Sequence, residues 1–137
     1  MERQKKVIDA SVIMKWFLNE EDSDKAIEIK NRYTENKIIL IVPELLFIEV
    51  INVLRYKKKD FEDLKKINNF LWNLQFKVEK ANRDVIDKAI EISIKNNFTI
   101  YDSIYIALSQ IHGCELITAD KELVKIPNVK LLKDVEI

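Results

Sequence analysis

A parallel α/β sheet covered by helices is the fold class this chain predicts. Short β-branched or apolar runs alternate with segments of helical periodicity, the pattern of strand–helix–strand units. The clearest strand, residues 38–42, is apolar throughout rather than alternating, as expected of a strand buried on both faces. At 137 residues, 47% apolar and 34% charged, the chain is long enough to bury a core. No repeat, low-complexity tract or linker divides it, so one domain over residues 1–137 is expected.

Val7 and Ile8 read as a short strand ended by Asp9, and Ser11 suits the cap of a helix over residues 12–18. Polar residues 19–22 break that helix, and Ser23 can cap a second one running to about Thr34. After the strand at 38–42, Pro43 suits the first position of a long helix ending near Lys58. Asp60 can cap the next helix, with Leu64, Ile67, Leu71 and Leu74 on one face. Residues 76–79 alternate like a half-exposed strand, and a helix over about 84–95 carries Ile86, Ala89, Ile90 and Ile94 on one face. Another helix opens at Asp102 and stops before Gly113, the single glycine, placed where a left-handed cap is wanted. Residues 116–118 form a strand, 121–124 a helical turn, and 129–132 a last strand after Pro127.

Lys plus Arg and Asp plus Glu balance at 23 each, so net charge does not announce a nucleic-acid partner. The lone Cys114 excludes an internal disulfide and a cysteine-built zinc cage, which makes a reducing, cytoplasmic setting the expectation. The start is polar as far as Lys6 and no stretch approaches the roughly 20 apolar residues of a membrane helix. Neither a signal peptide nor a membrane partner is expected.

Four carboxylates adjoin or interrupt apolar runs, where a folded chain would normally avoid charge: Asp9, Glu49, Asp102 and Asp120. Buried acids are expensive unless something positive compensates them. Asp9 and Asp120 each follow a strand, and carboxyl ends of strands are where open α/β sheets bind ligands. Each would look the same as a simple turn or capping aspartate. If their strands are neighbours where strand order reverses, both face one crevice. Glu49 is the one charged residue in 45–54, with Leu45, Leu46 and Val53 at helical spacing, so a solvated-face explanation fits it poorly. Asp102 sits at a helix start, where the dipole favours an anion and capping alone would account for it. Ser11 and Thr118, each two residues from an acid, could serve a cation-bound water or simply cap backbone groups.

What is missing narrows the chemistry. One histidine, His112, in a last helical turn excludes a two-histidine nuclease mechanism, and its expected role is to meet the helix dipole. There is no Gly-x-Ser-x-Gly elbow and no Gly-rich phosphate loop. Ser11 stands where a haloacid-dehalogenase-type phosphatase would need a second aspartate. Four convergent carboxylates would suit a hard divalent cation and metal-assisted chemistry on phosphate. Arg55, Lys57, Lys58 and Lys59, followed by Lys65 and Lys66, offer either a solvated helix end or phosphate contacts.

Taken in order, Val7-Ile8-Asp9-Ala10-Ser11-Val12, the Glu49 helix with Asn52 three residues on, Tyr101-Asp102-Ser103-Ile104-Tyr105-Ile106-Ala107-Leu108, and Ile117-Thr118-Ala119-Asp120-Lys121 resemble a small stand-alone PIN domain of the VapC toxin type. The likeness spans essentially the whole chain. It implies a three-layer α/β/α fold around a central, mostly parallel sheet of four to five short strands. It also implies an endoribonuclease in which Asp9, Glu49, Asp102 and Asp120 hold one or two Mg²⁺ or Mn²⁺ ions. Ser11, Asn52 and Thr118 are supporting candidates at that site. A homodimer, an RNA substrate and a cognate antitoxin that inserts into the acidic cleft are the implied partners. The competing expectations are a PIN-like module that binds RNA or protein without cutting, an RNA-processing enzyme, and a structure-specific DNA nuclease of related fold.

Overall fold

The computed structural model describes residues 3–57 and 59–136. Five strands and six helices follow in the order β1 (Gln4–Ile8), α1 (Ala10–Met14), α2 (Ser23–Thr34), β2 (Ile38–Pro43), α3 (Leu45–Tyr56), α4 (Phe61–Asn73), β3 (Lys77–Glu79), α5 (Arg83–Asn96), α6 (Ile100–His112), β4 (Glu115–Thr118) and β5 (Val129–Leu131). Two 3₁₀ turns flank the last strand, at Lys121–Lys125 and Leu132–Asp134.

The strands form one sheet in the order β3-β2-β1-β4-β5, and every pairing is parallel. The architecture is the expected three-layer α/β class, with the sheet at its upper expected strand number. Consecutive residues Val7 and Ile8, Leu40, Ile41 and Val42, and Leu116 and Ile117 are all buried. Successive side chains on a strand point to opposite faces, so this sheet is covered on both sides. That is why its strands read as unbroken apolar runs. Aromatic side chains close part of the core: Phe47 and Trp72 stack with centroids 3.9 Å apart, and Trp16 donates its indole N–H to the Ala26 carbonyl. Among the described residues no helix is long and apolar enough to cross a membrane.

Several element starts differ from expectation, and each difference has a local cause. The first helix begins at Ala10, with Asp9 rather than Ser11 in the cap position, because the Ser11 hydroxyl is committed to the Asp9 carboxylate. Ser23 does not cap α2; its hydroxyl accepts from the Glu20 N–H and donates to the Leu18 carbonyl, closing the preceding loop. Pro43 ends β2, opposite Glu79 in register, and α3 starts two residues later. A strand end tolerates the missing N–H as readily as a first helical turn. The expected end of that helix at Lys58 lies outside the described residues.

Asp102 does not open α6. Thr99 does, accepting the Asp102 N–H at 3.0 Å, and the helix starts at Ile100. His112 meets Glu79 at 2.9 Å instead of acting only on its own helix end. Two expected caps are present: Asp60 accepts from Asp63 N–H at the start of α4, and Gly113 ends α6 at φ +62°.

Candidate metal centre

Asp9 directly follows β1 and Asp120 lies two residues after β4, and those two strands are hydrogen-bonded neighbours. The chain builds outward from β1 through β2 to β3, then returns to place β4 on the other side of β1. Strand order therefore reverses between β1 and β4, and the crevice beyond their carboxyl ends lies between the two aspartates. The condition set by the sequence is met.

Asp9 is 6% exposed, and its Oδ2 accepts from the Ser11 and Thr118 hydroxyls, each at 2.8 Å. Those hydroxyls are themselves acceptors: Ser11 Oγ takes the Ala119 N–H and Thr118 Oγ1 takes the Asp120 N–H, both at 3.0 Å. The backbone after β4 is thus relayed through two side chains onto the carboxylate after β1. Ser11 and Thr118 bind backbone N–H groups, as the capping explanation asked, and donate to the Asp9 carboxylate at the same time. Asp120 is exposed, and its Oδ1 caps the Lys121–Lys125 turn by accepting the Glu122 N–H at 2.9 Å.

Glu49 is half-buried on α3, and its Oε1 accepts the Tyr105 hydroxyl at 2.7 Å. Asp102 is half-buried in the first turn of α6. Asn52, one turn beyond Glu49, is exposed and makes no side-chain hydrogen bond among the described residues. Two contributors were not singled out from sequence. Tyr105 is the lone hydroxyl in the otherwise apolar run 104–108, and Thr99 stands three residues before Asp102 in a capping pattern. Both signals were present in the sequence.

The four acids are close enough to disturb one another. Burial pushes Asp9 up to about 6, against the Ser11 and Thr118 hydrogen bonds, and the Asp102 charge adds to the rise. Burial also raises Glu49, with the Tyr105 hydrogen bond opposing and the charges of Asp9 and Asp102 adding. Asp102 is raised by burial first and by Asp120 next. Among the described residues none of the four has an ion-pair partner. Nor do any three acidic or histidine side chains there close into a ready cage for a cation.

The donor set is carboxylates and hydroxyls without thiolate or imidazole, which fits a hard divalent cation better than zinc. A cation between desolvated, mutually repelling carboxylates would supply positive charge that no ion-pair partner among the described residues provides.

The PIN domain model matches residues 6–129, and the chain belongs to that family. It is 30% identical over 124 residues to ribonuclease VapC3 of Pyrobaculum aerophilum, across 87% of this chain and 92% of that protein. Two solved structures share the fold. One is a toxin–antitoxin complex from Klebsiella pneumoniae, with a TM-score of 0.71 at 17% identity, covering 96% of this chain and 99% of that one. The other is Mycobacterium tuberculosis VapC20, a sarcin-ricin loop cleaving toxin, with a TM-score of 0.72 at 12% identity over 90% and 96% of the two chains.

Proposed function

We propose that this chain is a Mg²⁺- or Mn²⁺-dependent endoribonuclease, the toxin of a toxin–antitoxin pair, with Asp9, Glu49, Asp102 and Asp120 as its metal-binding catalytic set. The observation that supports the reading is that Asp9 and Asp120 end the neighbouring strands β1 and β4, that the charges of Asp9, Glu49, Asp102 and Asp120 act on one another, and that none of the four has an ion-pair partner among the described residues. The ribonuclease VapC3 relative supports the activity, and the fold shared with a toxin–antitoxin complex supports the antitoxin.

Bound there, one or two divalent ions would neutralise phosphoryl charge and acidify a water for in-line attack. The chain's own residues prepare that site. Ser11 and Thr118 both hold Asp9 through the same oxygen, Oδ2. Tyr105 holds one oxygen of Glu49. Asp120 stays exposed at the rim, where a phosphodiester can approach. Arg55, Lys57, Lys59, Lys65 and Lys66 form no ion pair among the described residues, so they are available to phosphates; Lys58 lies outside the described residues.

An apolar groove of about 490 Å³ between α3 and α4, lined by Phe47, Ile48, Ile51, Phe61, Leu64 and Trp72, suits the apolar face of an antitoxin segment. Ile86, Ile90 and Ile94, spaced four apart and exposed on α5, suit a second copy of the chain and hence a homodimer.

The test is incubation of purified protein with labelled RNA and matched DNA, with Mn²⁺ or with chelator. RNA cleavage with Mn²⁺ alone, abolished by Asp9→Asn in a folded protein, is expected. Cleavage retained by that variant, or in chelator, sinks the mechanism. Cutting of DNA but not RNA moves the protein to the DNA-nuclease reading, and binding without cutting to the binding-module reading.

A further inference from the structure

Tyr105 has no solvent exposure and lies among Ile104, Ile106, Ala107 and Leu108, all buried apolar residues of α6. A phenol in such surroundings is costly unless its O–H finds a partner. Its partner is Glu49 Oε1 on α3, at 2.7 Å. The ring's packing therefore holds the hydroxyl in place, and the hydroxyl holds the carboxylate.

Glu49 needs such a holder more than its neighbours do. Asp9 hangs from a strand end and is fixed by two hydroxyls of its own crevice. Glutamate has an extra rotatable bond, and every freely rotating side chain must lose that freedom before it can ligate. Among the described residues no other side chain hydrogen-bonds Glu49. A phenol can donate only one hydrogen, so it occupies one carboxylate oxygen and leaves the other. A carboxylate accepts an O–H more strongly than a neutral carboxyl does, and the carboxylate is the form that binds a cation.

Resting on the reading of Glu49 as a metal ligand, we propose that Tyr105 is its positioning residue, tying Oε1 to the core so that Oε2 is presented to the cation. Asp102 and Tyr105 are three residues apart on α6, hence on one face of it. One helix then contributes a ligand directly and aims a second that belongs to another helix. A displacement of α6 relative to α3 would disturb both together.

The experiment is Mn²⁺ titration by calorimetry without RNA, on the wild type, Tyr105→Phe, Glu49→Gln and the double variant. Unfolding in chelator confirms that each is folded. Tyr105→Phe removes one hydroxyl and keeps the ring, so the core survives. Losing the outer partner of a ligand typically weakens metal binding roughly 10- to 100-fold, and that loss is expected here. In the Glu49→Gln background the second substitution should add almost nothing. In cleavage assays the loss should fall on kcat with the RNA KM unchanged, and raising Mn²⁺ should recover much of it.

Wild-type Mn²⁺ affinity in Tyr105→Phe with weakened binding in Glu49→Gln overturns the positioning role and leaves the ligand reading standing. Wild-type affinity in both overturns the ligand reading and the positioning role with it. Glu49→Asp is a second probe that leaves Tyr105 intact. Its carboxylate is one methylene short of reaching hydroxyl and cation together, so it should bind Mn²⁺ more weakly, and full affinity there also overturns the proposal.

Discussion

Replacing Asp9 by asparagine should stabilise the metal-free protein while abolishing its proposed chemistry. The carboxyl group is 6% exposed and its pKa rises from 3.8 to about 6, chiefly through burial. The sign follows from linkage. A carboxyl that holds its proton more tightly in the folded state favours folding when protonated, fully so below 3.8. That contribution is lost as pH climbs through about 6, where the folded protein must carry a buried charge that the unfolded chain carries in water. At about 1.4 kcal/mol per pH unit, the gap between 3.8 and about 6 corresponds to an order-of-magnitude figure of about 3 kcal/mol.

Asparagine has the same shape, and its single carbonyl oxygen can still accept from Ser11 and Thr118. At pH 8 in chelator, urea unfolding should show Asp9→Asn more stable than wild type by up to about 3 kcal/mol. The difference should shrink as pH falls below 6 and disappear only below 3.8, where the carboxyl is protonated in the folded and the unfolded chain alike. Adding Mn²⁺ at pH 8 should stabilise the wild type and leave the variant unmoved, narrowing or inverting the order. A variant less stable than wild type at pH 8, or a difference independent of pH, refutes the claim that Asp9 is a buried, uncompensated charge.

Thr118→Val keeps the buried shape but removes the donor to Asp9 Oδ2 and the acceptor for the Asp120 N–H, so it should cost about 1–3 kcal/mol by urea unfolding. Its Mn²⁺ affinity should fall as well, which a purely structural threonine would not produce. Gly113→Ala meets no atom within 4 Å, so its whole effect comes from the left-handed backbone at φ +62°. A loss of about 1 kcal/mol with an unchanged m-value is expected.

Much of this site was legible because burying charge is costly whatever the fold. Glu49 stood out as a lone acid in an apolar helical face, and the structure gives it a buried partner rather than solvent. Asp9 and Asp120 were readable as strand-end acids, and the parallel sheet was readable from the apolar runs at 38–42 and 116–118. Asp102 was placed correctly on its helix but with the wrong local task. Capping is a contest between neighbours, and Thr99 wins it with an extended backbone and an oxygen on the Asp102 N–H. The same competition moved Ser11 and Ser23 away from capping and onto Asp9 and the loop before α2.

By itself, then, the sequence determined the alternation of strands and helices, Glu49 as an acid set in an apolar helical run, and the family likeness that joins the four acids. Those are local properties, set by periodicity and by the cost of taking a carboxylate out of water. That Asp9 and Asp120 end neighbouring strands was decided by the order β3-β2-β1-β4-β5, which puts strands more than a hundred residues apart side by side. The Ser11–Asp9–Thr118 network and the Tyr105–Glu49 bond cross that same distance in the chain or pass between helices. A hydrogen bond of that kind forms only after packing has fixed both partners, so only the tertiary structure could reveal it.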